Sequence, residues 1–204
     1  MSPQPDGRRR EAVAATVAGA ALSVEEVDER ERVLRASPQT SALPRPGTSE
    51  GRQLRRWLTQ LLVTERVVAV EAAVLGVTVD ETTPCEAELL PDLTARLEIG
   101  SIAATALADP LARAVFARVT GEVDVDPAAV ADYHRRNPRR FAGGDEPAPP
   151  FEGVATRIET LLRGAARRRA FRIWLDQRRA AHVWLAPGYE HPGDPRQPDN
   201  THKH

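Results

Sequence analysis

The chain has 204 residues, 41% of them hydrophobic and 28% charged, with a formal net charge of −1. That is enough for one domain with a sizeable core or two small ones, and the near-neutral balance gives no case for nucleic acid or an anionic membrane as partner. Aromatics are 4%, too few for base-stacking platforms. The single cysteine, Cys85, rules out an internal disulfide and a cysteine-based zinc site.

Residues 1–11 are polar and proline-containing and are expected to form a disordered arm. Arg8–Arg10 followed by the apolar stretch Ala12–Leu22 imitates a signal peptide, but the stretch is mostly alanine and opens on Glu11. The expected compartment is the cytoplasm, with secretion as the alternative. Ala14–Val17 is a strand candidate. Ser23 is a plausible N-cap, and Glu26 three residues on completes a capping box for a helix to about Arg35. Ser37-Pro38 stops that helix, and the prolines and glycine of 37–48 read as a connecting loop.

The strongest helical signal spans Ser49–Leu75. Leu54, Trp57, Leu58, Leu61 and Leu62 follow three-four spacing, and Gly76 stands where a C-terminal glycine is expected. Short helices are expected at Cys85–Leu90 and Leu93–Ile99, broken by Pro91, then at Ser101–Leu107 and Pro110–Val119. Asp126-Pro127 opens another helix that ends at Asn137-Pro138. After a Gly/Pro linker at 142–150, the last long helix runs from about Phe151 to His182, with Val154, Ile158, Leu161, Leu162, Phe171, Trp174 and Leu175 at apolar positions. Gly164 marks a candidate kink, and Val183–Leu185 is the second strand candidate. No run approaches the roughly 20 apolar residues of a membrane span.

Four of these blocks, in order, resemble the chaperone module of SurA/parvulin-type foldases. They are Ala15–Gly19 with Ser23–Asp28, the helix closing on Glu71–Glu81, Val123–Phe141 with its Tyr133, and the helical segment Val154–Ala181, which contains Phe171–Leu175 and closes on His182–Leu185. The resemblance implies an all-α, or mostly α, single domain over 12–185, its C-terminal helix packing back on the N-terminal helices. It also implies that Tyr133 and Phe141 pack into the core, beside Trp57 and Trp174 as core anchors on the apolar stripes. In that family a domain-sized parvulin isomerase unit commonly follows the phenylalanine. Here only Ala142–Glu152 separates Phe141 from the next helix, so the catalytic histidines and proline pocket of a parvulin are absent with their domain. The usual Asn-Gly is Ala18-Gly19 in this chain.

The segment 186–204 is a Pro/His-rich tail that cannot bury enough apolar surface to fold alone. It holds His191, Asp194, His202 and His204, side chains suited to Zn, Cu or Ni, although a free tail lacks the supporting shell such a site needs. Tyr133-His134 and Asn137 form a second polar group, for which a structural helix end is the plainer reading. The arginine runs 8–10, 52–56, 135–140 and 167–169 read as solvated helix faces, or else as groups that bind phosphate or RNA or share a groove for an anionic partner such as a carrier protein. No nucleophilic triad, phosphate loop or HExxH pattern is present. The expected function is therefore a chaperone-like module that binds unfolded or extended polypeptide, or a specific protein partner. It would need no cofactor and lack isomerase catalysis. A small accessory enzyme or metal-binding factor, of the kind found in specialised metabolism and using the tail histidines, is the alternative.

Overall fold

The computed structural model describes residues 12–142 and 147–194. Among them the protein is mostly helical, with one small three-stranded sheet. The described residues fall into two compact units. One is built from the chain up to Val70 and from Arg178 onward, and the other from Glu71–Gln177.

The first unit opens on a β-hairpin. Strand β1 (Val13–Val17) pairs antiparallel with β2 (Ala20–Ser23), Val17 facing Ala20 across the two-residue loop Ala18-Gly19. Both loop residues have positive φ, 47° and 82°, the combination a type I′ turn demands because its twist matches that of the strands. The sequence offered two strand candidates and no signal for β2, which is a four-residue segment with two alanines. Its pairing with β1 supplies what its weak intrinsic β preference does not.

Helix α1 (Val24–Arg35) starts as its capping box predicts. Ser23 Oγ accepts the Glu26 N–H at 3.2 Å, and the Glu26 carboxylate accepts the Ser23 N–H at 2.8 Å. A 3-10 turn (Pro38–Ala42) follows, then α2 (Ser49–Leu75), whose residues to Val70 belong to this unit. Leu58, Leu61, Val63, Val67 and Val68 are buried along α2 with Ala14, Ala15, Val17, Leu22 and Val27 from the hairpin and α1. Around that core Arg55 pairs with Asp28 at 2.5 Å and Glu31 at 3.3 Å, Arg30 with Glu65, and Arg66 with Glu26.

The end of the chain returns to this unit. Strand β3 (Val183–Leu185) pairs antiparallel with β1, giving the order β2-β1-β3 with Thr16 opposite Trp184. The Arg179 guanidinium donates to Thr64 Oγ1 at 2.7 Å and to Gln60 Oε1.

The second unit is helical. The last turn of α2 ends at Gly76, whose φ of 62° closes the helix in the left-handed region. Then come α3 (Glu86–Leu89), α4 (Leu93–Ile99), α5 (Ser101–Ala106), α6 (Pro110–Val119), α7 (Pro127–Arg136) and α8 (Phe151–His182), of which residues to Gln177 lie here. Asp92, Asp109 and Asp126 cap α4, α6 and α7 through their carboxylates, the last two with proline in the first turn. Alanines 95, 103, 104, 106 and 112 let these short helices approach closely around Leu107, Val115, Phe116, Phe171 and Leu175. Helix α8 runs without interruption through Gly164. Among the described residues no helix is long and apolar enough to cross a membrane.

Candidate functional site

A groove of about 1020 Å³ opens in the second unit. Its lining on α8 is one helical stripe: Arg157, Leu161, Gly164 with Ala165, and Arg168 recur at helical spacing, with Thr156 and Thr160 beside them. Arg157 to Arg168 is about three turns, or about 16 Å at about 1.5 Å per residue. The remaining lining comes from α3 and α4 (Glu88, Asp92, Ala95, Glu98) and from Tyr133, Arg140 and Phe141 at and just beyond the end of α7.

Arg168 is 5% exposed although it sits in the run Arg167–Arg169. Its Nε and Nη2 both reach Glu98 Oε2 at 2.8 Å, and Nη1 donates to the Leu89 carbonyl at 3.2 Å. A buried guanidinium is tolerable only when paired and hydrogen-bonded, and this one ties α8 to both α3 and α4. Gly164 makes the space: a Cβ there would stand 3.2 Å from Arg168 Nη1. The signal was present in the sequence, because position 168 falls on the same stripe as Leu161, Phe171 and Leu175. The charge run hid it.

The other acidic groups are held by their own helices. Glu88 accepts the Cys85 N–H at 2.8 Å in a capping box at the start of α3, and Asp92 accepts the Ala95 N–H at 2.8 Å. Cys85 is exposed at that helix start. At the opposite end of the stripe the Arg157 guanidinium lies over the Phe141 ring, 5.0 Å from its centroid, a cation–π arrangement.

Tyr133 and Phe141, expected as core anchors, are partly buried and pack against the cluster Val130, Val154 and Ile158; both also face the groove. His134 Nε2 lies 3.0 Å from the Pro149 carbonyl, and its ring is tilted against Phe151 at 5.5 Å. Trp57 and Trp174, expected as core anchors, are partly buried. On α2 the fully covered position beside Trp57 is Leu58; on α8 Trp174 stacks at 5.6 Å on Phe171, which is itself buried against Phe116 at 5.0 Å.

In the first unit, the chain beyond β3 is tied to α2. Arg56 Nε donates to the Gly188 carbonyl at 3.2 Å, and the buried Gln60 amide donates to the Tyr189 carbonyl at 2.7 Å. His191 and Asp194 stand in a local turn. His191 Nδ1 accepts the Gly193 N–H at 3.0 Å, and the Asp194 N–H donates to the His191 carbonyl at 2.9 Å. His202 and His204 lie outside the described residues. Among the described residues no group of three or more His, Cys, Asp and Glu side chains converges as a metal site requires.

No curated protein and no solved structure matches the chain. Residues 13–50, from β1 to the first residues of α2, match the model of a family of unknown function, DUF7158, and that segment contributes none of the groove's lining.

Proposed function

We propose that this protein is a polypeptide-binding module of the chaperone type, without prolyl isomerase catalysis, and that the groove of the second unit receives the bound segment. The groove itself carries the reading. Its length along α8 suits about five residues of extended chain at about 3.3 Å each. It offers Leu161, Leu162, Ala165, Tyr133 and Phe141 as apolar contact beside polar groups able to satisfy a peptide backbone. Pockets of this composition bind through burial of apolar surface, with a few polar groups fixing orientation. The order of sequence blocks that resembles SurA-type modules supports the same reading. So does the short Phe141–Phe151 connection, which leaves no room for an isomerase domain.

The test is light scattering from a heat-unfolded client protein at increasing molar ratios of this chain. Suppression is expected. It is expected to be lost in Leu161→Glu, which places a charge on the groove's apolar stripe at a half-buried position outside the cluster of Val130, Val154 and Ile158. No suppression at molar excess overturns the proposal. Acceleration of a proline-limited refolding phase, which takes tens to hundreds of seconds uncatalysed, overturns the absence of isomerase activity.

A further inference from the structure

Resting on the polypeptide-binding reading, we infer that the groove selects segments carrying an acidic side chain beside an apolar one, with the carboxylate received at the end formed by Arg140, Phe141 and Arg157. The charges lining the groove are unequally committed. Glu98 holds Arg168, while Glu88 and Asp92 accept backbone N–H groups of their own helix starts. Arg168 is in turn consumed by Glu98 and the Leu89 carbonyl. Among the described residues, Arg140 and Arg157 have no carboxylate within ion-pair distance, and both side chains belong to exposed residues.

Arg157 is also placed at the groove's end. Its guanidinium carbon stands 5.0 Å from the centroid of the Phe141 ring, a cation–π contact that does not consume its N–H donors. An arginine with donors to spare takes a carboxylate through charge-assisted hydrogen bonds, two in parallel where the geometry allows. Arg140 precedes Phe141 in the chain and lines the same groove, adding positive charge at the same end. From there the α8 stripe leads over Leu161 and Ala165 to the neutralised Arg168–Glu98 pair. An occupant with a carboxylate at one end and apolar side chains following it meets complementary chemistry along the whole stripe. A basic residue at the Arg157 end meets two like charges.

The experiment measures fluorescence anisotropy of labelled peptides against the full chain. The peptides share one apolar core and differ only in carrying Glu, Gln or Lys at a single flanking position. The Glu peptide is expected to bind about tenfold more tightly than the Gln peptide, the scale of one charge-assisted contact, and the Lys peptide most weakly. The preference is expected to vanish in the double variant Arg140→Gln, Arg157→Gln, with its circular dichroism melt matching the parent. Equal binding of all three peptides, or a preference that survives in the double variant, overturns the inference and leaves polypeptide binding standing. Failure of every peptide to bind overturns both. A single-stranded oligonucleotide that binds more tightly than the Glu peptide, and is lost in the double variant, assigns the two arginines to phosphate and also overturns the inference.

Discussion

Gly164 lies against the Arg168 guanidinium so closely that a Cβ at 164 would come within 3.2 Å of Nη1. In an unconstrained helix, replacing glycine by alanine stabilises by about 1 kcal/mol. Here the neighbour cannot yield freely, because Glu98 and the Leu89 carbonyl hold it. Gly164→Ala is therefore expected to give no gain, or a loss, in urea melts. Gly153, in the first turn of the same helix, meets only Pro150 Cγ at 3.9 Å, and Gly153→Ala is expected to gain up to about 1 kcal/mol.

The Arg168–Glu98 pair is asymmetric: the Arg168 side chain is 6% exposed and that of Glu98 40%. Removing the acid strands a buried cation, whereas removing the cation leaves an acid that water reaches. Glu98→Ala is expected to destabilise by roughly 2–4 kcal/mol, and Arg168→Met, which refills the space with apolar atoms, by less. Equilibrium unfolding of the two variants checks the order; equal losses would show that desolvation does not set it.

Ala18 occupies the left-handed region at φ 47°, where a Cβ is strained and asparagine or glycine is preferred. Ala18→Asn is expected to stabilise the protein by about 0.5–1 kcal/mol. The Ala18 N–H donates to the His182 carbonyl at 2.8 Å, a backbone bond the substitution leaves in place. Thermal melting checks the gain, and a lower melting temperature would mean the asparagine side chain disturbs β3.

Glu26 makes stability depend on pH. Burial raises its pKa, but the Ser23 N–H and the Arg66 guanidinium lower it further, so the folded carboxyl sits below its ordinary value of 4.5. The folded chain then binds this proton less readily than the unfolded chain. The contribution is complete above the ordinary carboxylate value and is lost as pH falls through the folded one. The Glu26 side chain is 45% exposed, so the effect is well under about 1 kcal/mol. The stability difference between the parent and Glu26→Gln is expected to favour the parent at neutral pH and to shrink in acid. Ser23→Ala removes the other half of the box and is expected to cost about 1 kcal/mol.

The helices were legible in the sequence where local signals agree. Asp126-Pro127 and Ser23 with Glu26 mark helix starts, Gly76 marks an end, and three-four spacing carries α2 and α8 to the bounds found. What escaped depends on partners distant in sequence. Strand β2 exists because β1 pairs with it, and nothing in Ala20–Ser23 alone announces a strand. Arg168 reads as one of three solvated arginines until Glu98, on another helix, takes its charge inside. The groove combines α3, α4, the end of α7 and one stripe of α8, and no single window of sequence contains it.

The sheet order β2-β1-β3 joins Thr16 to Trp184, residues separated by nearly the whole chain. On the ribosome the hairpin emerges before Glu71–Gln177, the uninterrupted stretch that forms the second unit. Until Val183–Leu185 appear, the second edge of β1 has no strand to pair with. An open edge is a template for other chains, and long-range pairing forms late. Synthesis thus exposes this protein to mispairing in the interval before β3 arrives, and a truncation ahead of Val183 makes that interval permanent.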